Sequence, residues 1–278
     1  MENPLLGTSN FVTGPNLPIG VFDSGVGGLT VFKAIQKSLP RENIIYYGDT
    51  AHLPYGSKSP QTLKKFSLKI GKFLESQKIK LLVVACNSAS SVAIPLLRRN
   101  LKVPVLGVIE PGAKLAAQRT SRGRIGVIGT EGTIASQVYP KRLTQFRRGV
   151  RVFSVACPLF VPLVEEGFWR GAITEAIARR YLAPLKKWRP DTLILGCTHY
   201  PLLKKVISER VGRKVVLVDS GEAAAEEVSK ILQRKKLLRK NGRGSYKFYA
   251  SDAPTKFKKL AHKLLGLSMK RVWVQRFD

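Results

Sequence analysis

Asp191 to Pro201 reads DTLILGCTHYP, and this stretch decides the fold. A strand-like apolar run stops at Gly196; Cys197, Thr198 and His199 follow before a segment with helical spacing. These three residues therefore sit where the C-terminal end of a strand meets a helix N-terminus, which in an open α/β sheet is the ligand crevice. Backbone N–H groups at a helix start favour an anion, and they favour a thiolate over a thiol, so Cys197 is placed to react beside a bound carboxylate. Taken alone, the stretch is also compatible with an inert buried cysteine, because free Cys is among the most buried residue types.

Working outward, Ile79 to Ala85 is a second unbroken apolar run, and it ends in Cys86, Asn87 and Ser88. The two runs belong to two copies of one pattern. Ile19 to Phe22, Asn43 to Gly48, Ile79 to Ala85 and Val103 to Ile109 read as strands of the first copy. Arg124 to Ile128, Val150 to Ala156, Asp191 to Gly196 and Lys214 to Val218 read as strands of the second. Ile19 and Ile125 lie 106 positions apart, and Cys86 and Cys197 lie 111 apart. Repeated strand–helix units of this kind build parallel sheets. The expected fold is α/β: two pseudo-symmetric open parallel-sheet domains from an internal duplication. Right-handed crossovers then bring both cysteines to one interdomain cleft. After a helix from Gly221, Ser245 to Ala250, Thr255 to Leu265 and Val272 to Val274 read as strand, helix and short strand without a counterpart in the second copy. The tail is therefore expected to return to the first domain. Residues 1–110 with 222–278 make that domain, 111–221 the second, and 1–17 a loose leader.

The first copy opens on DSGVGGLTV, where Asp23 and Ser24 are good N-cap types and Gly25, Gly27 and Gly28 allow a tight turn into a helix beginning near Leu29. A dinucleotide fingerprint fits poorly, because its third glycine falls at Thr30. A ligand loop and a capped glycine turn are equally good readings of these residues. Downstream, the loop DTAHLPYGSKSP carries Tyr55 and Gly56 ahead of a helix over residues 60–77 that starts with Pro60. Glu110, Pro111 and Gly112 read as a break after the fourth strand.

The chain has 278 residues, 44% of them hydrophobic, which leaves one or two domains open and supplies a substantial core. Its three cysteines include no CxxC pair, which argues against a disulfide scaffold and a structural zinc site. No metal or cofactor is expected. A reducing, cytoplasmic setting follows. No apolar run approaches the roughly 18 residues of a membrane helix, so no membrane insertion is expected. The charge is unusual: 48 Lys and Arg against 18 Asp and Glu give +30. Such a field attracts nucleic acid, anionic lipid and small anionic substrates alike. Its densest part, Arg234 to Lys247, holds seven basic residues and no acid. The plainer reading is a general bias spread over solvated faces, since no block of like charge exceeds a few residues; any nucleic-acid binding through the basic surface is expected to be weak and sequence-independent.

Two cysteines at equivalent positions of two facing domains suggest a specific chemistry. Acid/base groups on opposite faces of one carbon can remove a proton from one side and deliver one to the other, inverting the centre. A thiol with an unperturbed pKa near 8.5 suits both tasks near neutrality. A single Cys nucleophile with His199 as base is the competing chemistry, and it leaves Cys86 without a role.

The motifs DSGVGGLTV, GDTAHLPYG, ACNSAS, CPLFVPLVEEG and GCTHYP, in this order, resemble the glutamate racemase family over residues 17–275 or so. The resemblance implies that Cys86 and Cys197 are the acid/base thiols and that no cofactor or metal takes part. It implies that Asp23, Ser24, Tyr55, Gly56, Asn87, Ser88, Thr198 and His199 hold the ammonium and carboxylates of glutamate. Asp23, Asp49, Glu165 and His199 would tune the thiols or the ammonium, with Glu165 chosen over its neighbour Glu166. It further implies a homodimer whose D-glutamate feeds peptidoglycan synthesis. Each of these residues also has a plainer reading: Asp23 as an N-cap, His199 as a helix-start residue, Glu165 as a surface charge, Asp49 as a turn former. Cys157 has no equivalent thiol and reads as core. Ser88 stands where the family usually has Thr, which keeps the hydroxyl and loses a methyl; the charge of +30 is also atypical. The leader is of intermediate length, which leaves allosteric control open. A sister racemase acting on aspartate or a hydantoin is the alternative, as is a racemase fold with an added nucleic-acid role. His199 favours glutamate, since the sister enzymes more often carry an acid after the Cys-Thr pair.

Overall fold

The structure, a computed structural model, describes residues 14–277. Most of the expected leader, residues 1–13, lies outside the described residues. The described part of it is tied to the body: Lys80 Nζ donates to the Pro15 carbonyl and Asn43 Nδ2 to the Asn16 carbonyl.

Among the described residues, ten strands form two sheets. In chain order they are β1 Ile19–Asp23, β2 Ile44–Gly48, β3 Leu81–Val84, β4 Val105–Gly107, β5 Arg124–Gly129, β6 Arg151–Ala156, β7 Thr192–Gly196, β8 Val216–Asp219, β9 Tyr246–Ala250 and β10 Trp273–Val274. The first sheet runs β10-β9-β2-β1-β3-β4 and the second β6-β5-β7-β8, and every pairing is parallel. The duplication is visible in this order, because β2-β1-β3-β4 and β6-β5-β7-β8 are the same arrangement. Every residue of β1, β2, β3 and β7 is buried. That is why these segments read as continuous apolar runs rather than as alternating ones: helices cover both faces of a parallel sheet. The C-terminal segment extends the first sheet, with β9 beside β2 in the register Tyr47↔Tyr249 and β10 beside β9.

The fourth strand is shorter than the apolar run from Val103 to Ile109. A helix begins at Ile109 and runs to Arg119, so Glu110, Pro111 and Gly112 lie in its first turn and do not break the chain. The first N–H groups of a helix have no intrahelical partner, so a proline there forfeits nothing, and an acid there meets the positive end of the helix dipole. Among the described residues, no helix is long and apolar enough to cross a membrane.

Candidate active site

In each sheet the strand order reverses direction beside the first strand, between β1 and β3 and between β5 and β7. Side chains just past the C-terminal ends of these strands face the crevice such a reversal opens. Cys86 follows β3 and caps the helix Asn87–Asn100, while Cys197 follows β7. A cavity of about 360 Å³ lies between the sheets and is lined by both cysteines. Ser24, Tyr55, Gly56, Asn87, Ser88, Glu165, Thr198 and His199 share its wall. Asp23 and Asp49 are not among its lining residues.

Asp23 is fully buried behind the wall. Its Oδ2 accepts the N–H of Gly25 at 3.1 Å and of Gly28 at 2.9 Å, and Thr198 Oγ1 approaches Oδ1 at 3.5 Å. Its role in the turn is thus to hold the loop, and the helix Leu29–Ser38 has no side-chain cap. The glycines are required by close approach. A Cβ at Gly28 would lie 2.3 Å from that of Asp23, and one at Gly27 would lie 2.4 Å from Cε1 of His199. The turn itself makes no such demand, since Gly25, Gly27 and Gly28 all avoid the left-handed region. Asp49 accepts from Tyr55 Oη and pairs with His52 Nδ1 at 2.8 Å, so it meets the cavity only through Tyr55.

The two thiols have different surroundings. Cys197 Sγ lies 3.7 Å from His199 Nδ1, and His199 Nε2 lies 3.1 Å from Glu165 Oε1. Burial alone would lower the His199 pKa, but hydrogen bonds to Cys197 and Glu165 outweigh it and push the value up to about 10. The ring is therefore an imidazolium at neutral pH, next to the Cys197 sulfur. Among the described residues, no such cation acts on Cys86. Burial, with the Asp23 carboxylate second, pushes its thiol well up, although the N–H groups of Ala89 and Ser88 pull the other way. Burial also raises the Asp23 pKa, against the opposing effects of His199 and the loop N–H groups. The site holds one thiol next to a cation and one next to a buried carboxyl group.

The binding side chains are fixed by one another. Tyr139 Oη donates to Asn87 Oδ1 at 2.7 Å, and Asn87 Nδ2 donates to Ser220 Oγ at 3.3 Å. Ser88 Oγ lies 2.9 Å from Thr130 Oγ1, which lies 3.0 Å from Thr133 Oγ1. Among the described residues, no group of three or more His, Cys, Asp and Glu is placed to hold a metal ion.

Residues 19–228 match the Asp/Glu/Hydantoin racemase family. The chain belongs to that family. The glutamate racemase of Geobacter metallireducens is 53% identical over 249 residues, which are 89% of this chain and 92% of that protein. Among solved structures, a glutamate racemase isoform from Bacillus anthracis superposes with a TM-score of 0.90 at 40% identity, covering 95% of this chain and 98% of that one. The glutamate racemase of Francisella tularensis, in complex with D-glutamate, gives 0.88 at 38% identity over 94% and 98% of the two chains.

In this racemase, Leu53, Pro54, Ser57, Thr130, Glu131, Pro158, Val161 and Pro162 also line the cavity, and the reading of the sequence missed all eight. One signal was present: the offset of 106 between Ile19 and Ile125 also carries Ser24 onto Thr130. The prolines and Val161 contribute only shape and carry no local signal. Glu165 reaches His199, whereas Glu166 is outside the wall and its carbonyl accepts from Lys263 Nζ. Cys157 is fully buried, and its carbonyl accepts from Tyr200 Oη at 2.8 Å.

Proposed function

We propose that the chain is a cofactor-independent glutamate racemase that interconverts L- and D-glutamate with two thiols and supplies D-glutamate for peptidoglycan synthesis. One observation carries this reading: Cys86 and Cys197 end equivalent strands of the two sheets and line the same cavity. In the L-to-D direction the Cys197 thiolate removes the Cα proton, and Cys86, as thiol, delivers its proton to the opposite face. Cys197 then carries a proton and Cys86 a negative charge, and exchange with solvent resets both. The D-to-L direction runs the same steps with the roles reversed.

The His199 imidazolium, held by Glu165, offsets the charge on Cys197 in its thiolate form. The rise in the Cys86 pKa caused by burial and Asp23 keeps that thiol protonated and ready to donate. Asn87, Thr198, Ser24 and the N–H groups at the start of the helix Asn87–Asn100 bind the carboxylates. Tyr55, Gly56 and the hydroxyls of Ser88 and Thr130 complete the cavity wall. Asp23 acts through Thr198 and the loop N–H groups.

Two free thiols at the reacting carbon suit a reducing compartment, which supports a cytoplasmic enzyme. The division into residues 1–110 with 222–278 and 111–221 belongs to the same reading. So does a homodimer, for which the exposed Leu159, Phe168 and Ile173 offer an apolar contact.

The test is deuterium wash-in at Cα. In D2O the enzyme is expected to exchange glutamate far faster than aspartate, and Cys86→Ser and Cys197→Ser are each expected to abolish racemisation. Preferential exchange into aspartate would overturn the substrate assignment. Racemisation near the parent rate by either serine variant would overturn the two-thiol mechanism.

A further inference from the structure

The catalytic reading leaves most of the chain's positive charge without a role, and that charge is not evenly spread. Residues 234–278 hold fourteen Lys and Arg against two Asp. This segment adds β9 and β10 to the outer edge of the first sheet. There Lys247 Nζ sits 4.9 Å from the centre of the Tyr249 ring and 5.1 Å from that of Trp273, and the Arg271 guanidinium sits 5.2 Å from the Trp273 ring.

The helix Pro60–Ser76 covers the same face. Its Phe73 packs on Tyr249 and Phe277. Lys65, Lys69 and Lys72 follow the i, i+4, i+7 spacing of one helical stripe, on the flank that also carries Phe73. Lys65 and Lys72 are exposed and Lys69 half-buried. None of the three, nor Lys247 or Arg271, pairs with a carboxylate among the described residues.

We propose that this face, built from the Lys65–Lys69–Lys72 stripe with Lys247 and Arg271 at the β9–β10 edge, binds the phosphate backbone of nucleic acid without regard to sequence. Charge complementarity selects a polyanion. The scarcity of exposed apolar side chains selects nucleic acid over a membrane. Peripheral membrane binding buries an apolar face among the lipids. Among the described residues, Val274 is the single exposed large hydrophobic here, while Phe146, Leu159, Phe168, Ile173 and Val216 belong to other elements. The face is separate from the cavity that holds the two thiols, so occupancy leaves racemisation unchanged.

The experiment is fluorescence anisotropy of a short labelled duplex DNA titrated with the full chain at several salt concentrations. It compares the parent protein, the variant Lys65→Gln/Lys69→Gln/Lys72→Gln/Arg271→Gln, and a control, Arg148→Gln/Arg179→Gln/Arg180→Gln/Lys187→Gln, which removes four exposed charges elsewhere. Parent affinity is expected to fall steeply between about 50 and 200 mM salt. The first variant is expected to make the slope of log K against log salt shallower by about 3.6 and to weaken binding more than tenfold at about 0.1 M salt. The control is expected to stay close to the parent, and all three proteins are expected to racemise alike. Equal losses in the two variants would show that net charge alone binds DNA and would overturn the assigned face. Binding to phosphatidylserine vesicles without binding to DNA would overturn the choice of partner.

Discussion

His199 is where burial and pairing compete most directly, and the outcome sets the charge next to the reacting sulfur. An isolated buried imidazole would be neutral at pH 7. Here Cys197 and Glu165 hold the proton on the ring, and its pKa rises from 6.5 to about 10. The sign follows from that direction. A cation stabilised by the fold contributes fully below the unfolded value, and the contribution is lost as pH rises through about 10. The alkaline limb of kcat/KM should therefore include an ionisation near that value. Glu165→Gln removes one of the groups that raise it, so the limb should move toward the ordinary histidine range. The chain has three histidines, so imidazole NMR can follow each ring separately. A His199 titration that does not move in Glu165→Gln would show that the carboxylate does not set its state.

At the scale of elements, the ends of the strands opposite the active site are held by a buried ion pair. Lys80, fully buried just before β3, donates to Glu42, to the Pro15 carbonyl and, at 2.8 Å, to the Leu237 carbonyl, while the other Glu42 oxygen accepts the N–H of Arg239 at 2.8 Å. Burial pulls the Lys80 pKa down, and Glu42 opposes the fall. Four chain segments meet on this pair. Lys80→Met leaves a carboxylate buried without its cation, at a cost of about 3–5 kcal/mol in urea unfolding, and adding Glu42→Leu should recover most of it. Equal losses in the single and double variants would mean that the tethered carbonyls matter more than the charge. No sequence pattern announced this knot, because its members lie far apart in the chain and each reads as an ordinary surface charge. The strands were legible for the opposite reason: burial on both faces makes β1, β3 and β7 continuous apolar runs, and repetition of the pattern gave the sheet order its symmetry. The cysteines and their neighbours were legible because they follow those runs directly. Thr133, Tyr139 and Ser220 were not, since they join the site through tertiary contacts with Ser88 and Asn87. The helix start at Ile109 was misread because Val103 to Ile109 is one unbroken apolar run, which hides the change from strand to helix, and because Pro111 and Gly112 together read as a turn although proline is well tolerated in a first helical turn.

For the molecule as a whole, +30 acts on folding and on the substrate with opposite sign, and a single variable separates the two effects. Forty-eight cationic side chains against eighteen acids repel one another in the compact state, and this repulsion costs stability when screening is weak. Raising the ionic strength from about 0.01 M to about 0.1 M shortens the Debye length from about 30 Å to about 10 Å. That change should relieve much of the repulsion and raise Tm; each 1 kcal/mol gained corresponds to roughly 2–4 °C in a chain approaching this size. Glutamate carries a net negative charge at neutral pH, and the same positive field draws it toward the cavity, so the same change in salt should lower kcat/KM while leaving kcat nearly constant. Differential scanning fluorimetry and steady-state kinetics in sodium chloride read both quantities on one preparation. A general salt effect on the protein would move stability and activity together. Opposite movements identify the net charge as the cause, whereas a flat Tm would mean that the cations are spaced widely enough for solvent to screen them at every salt concentration used.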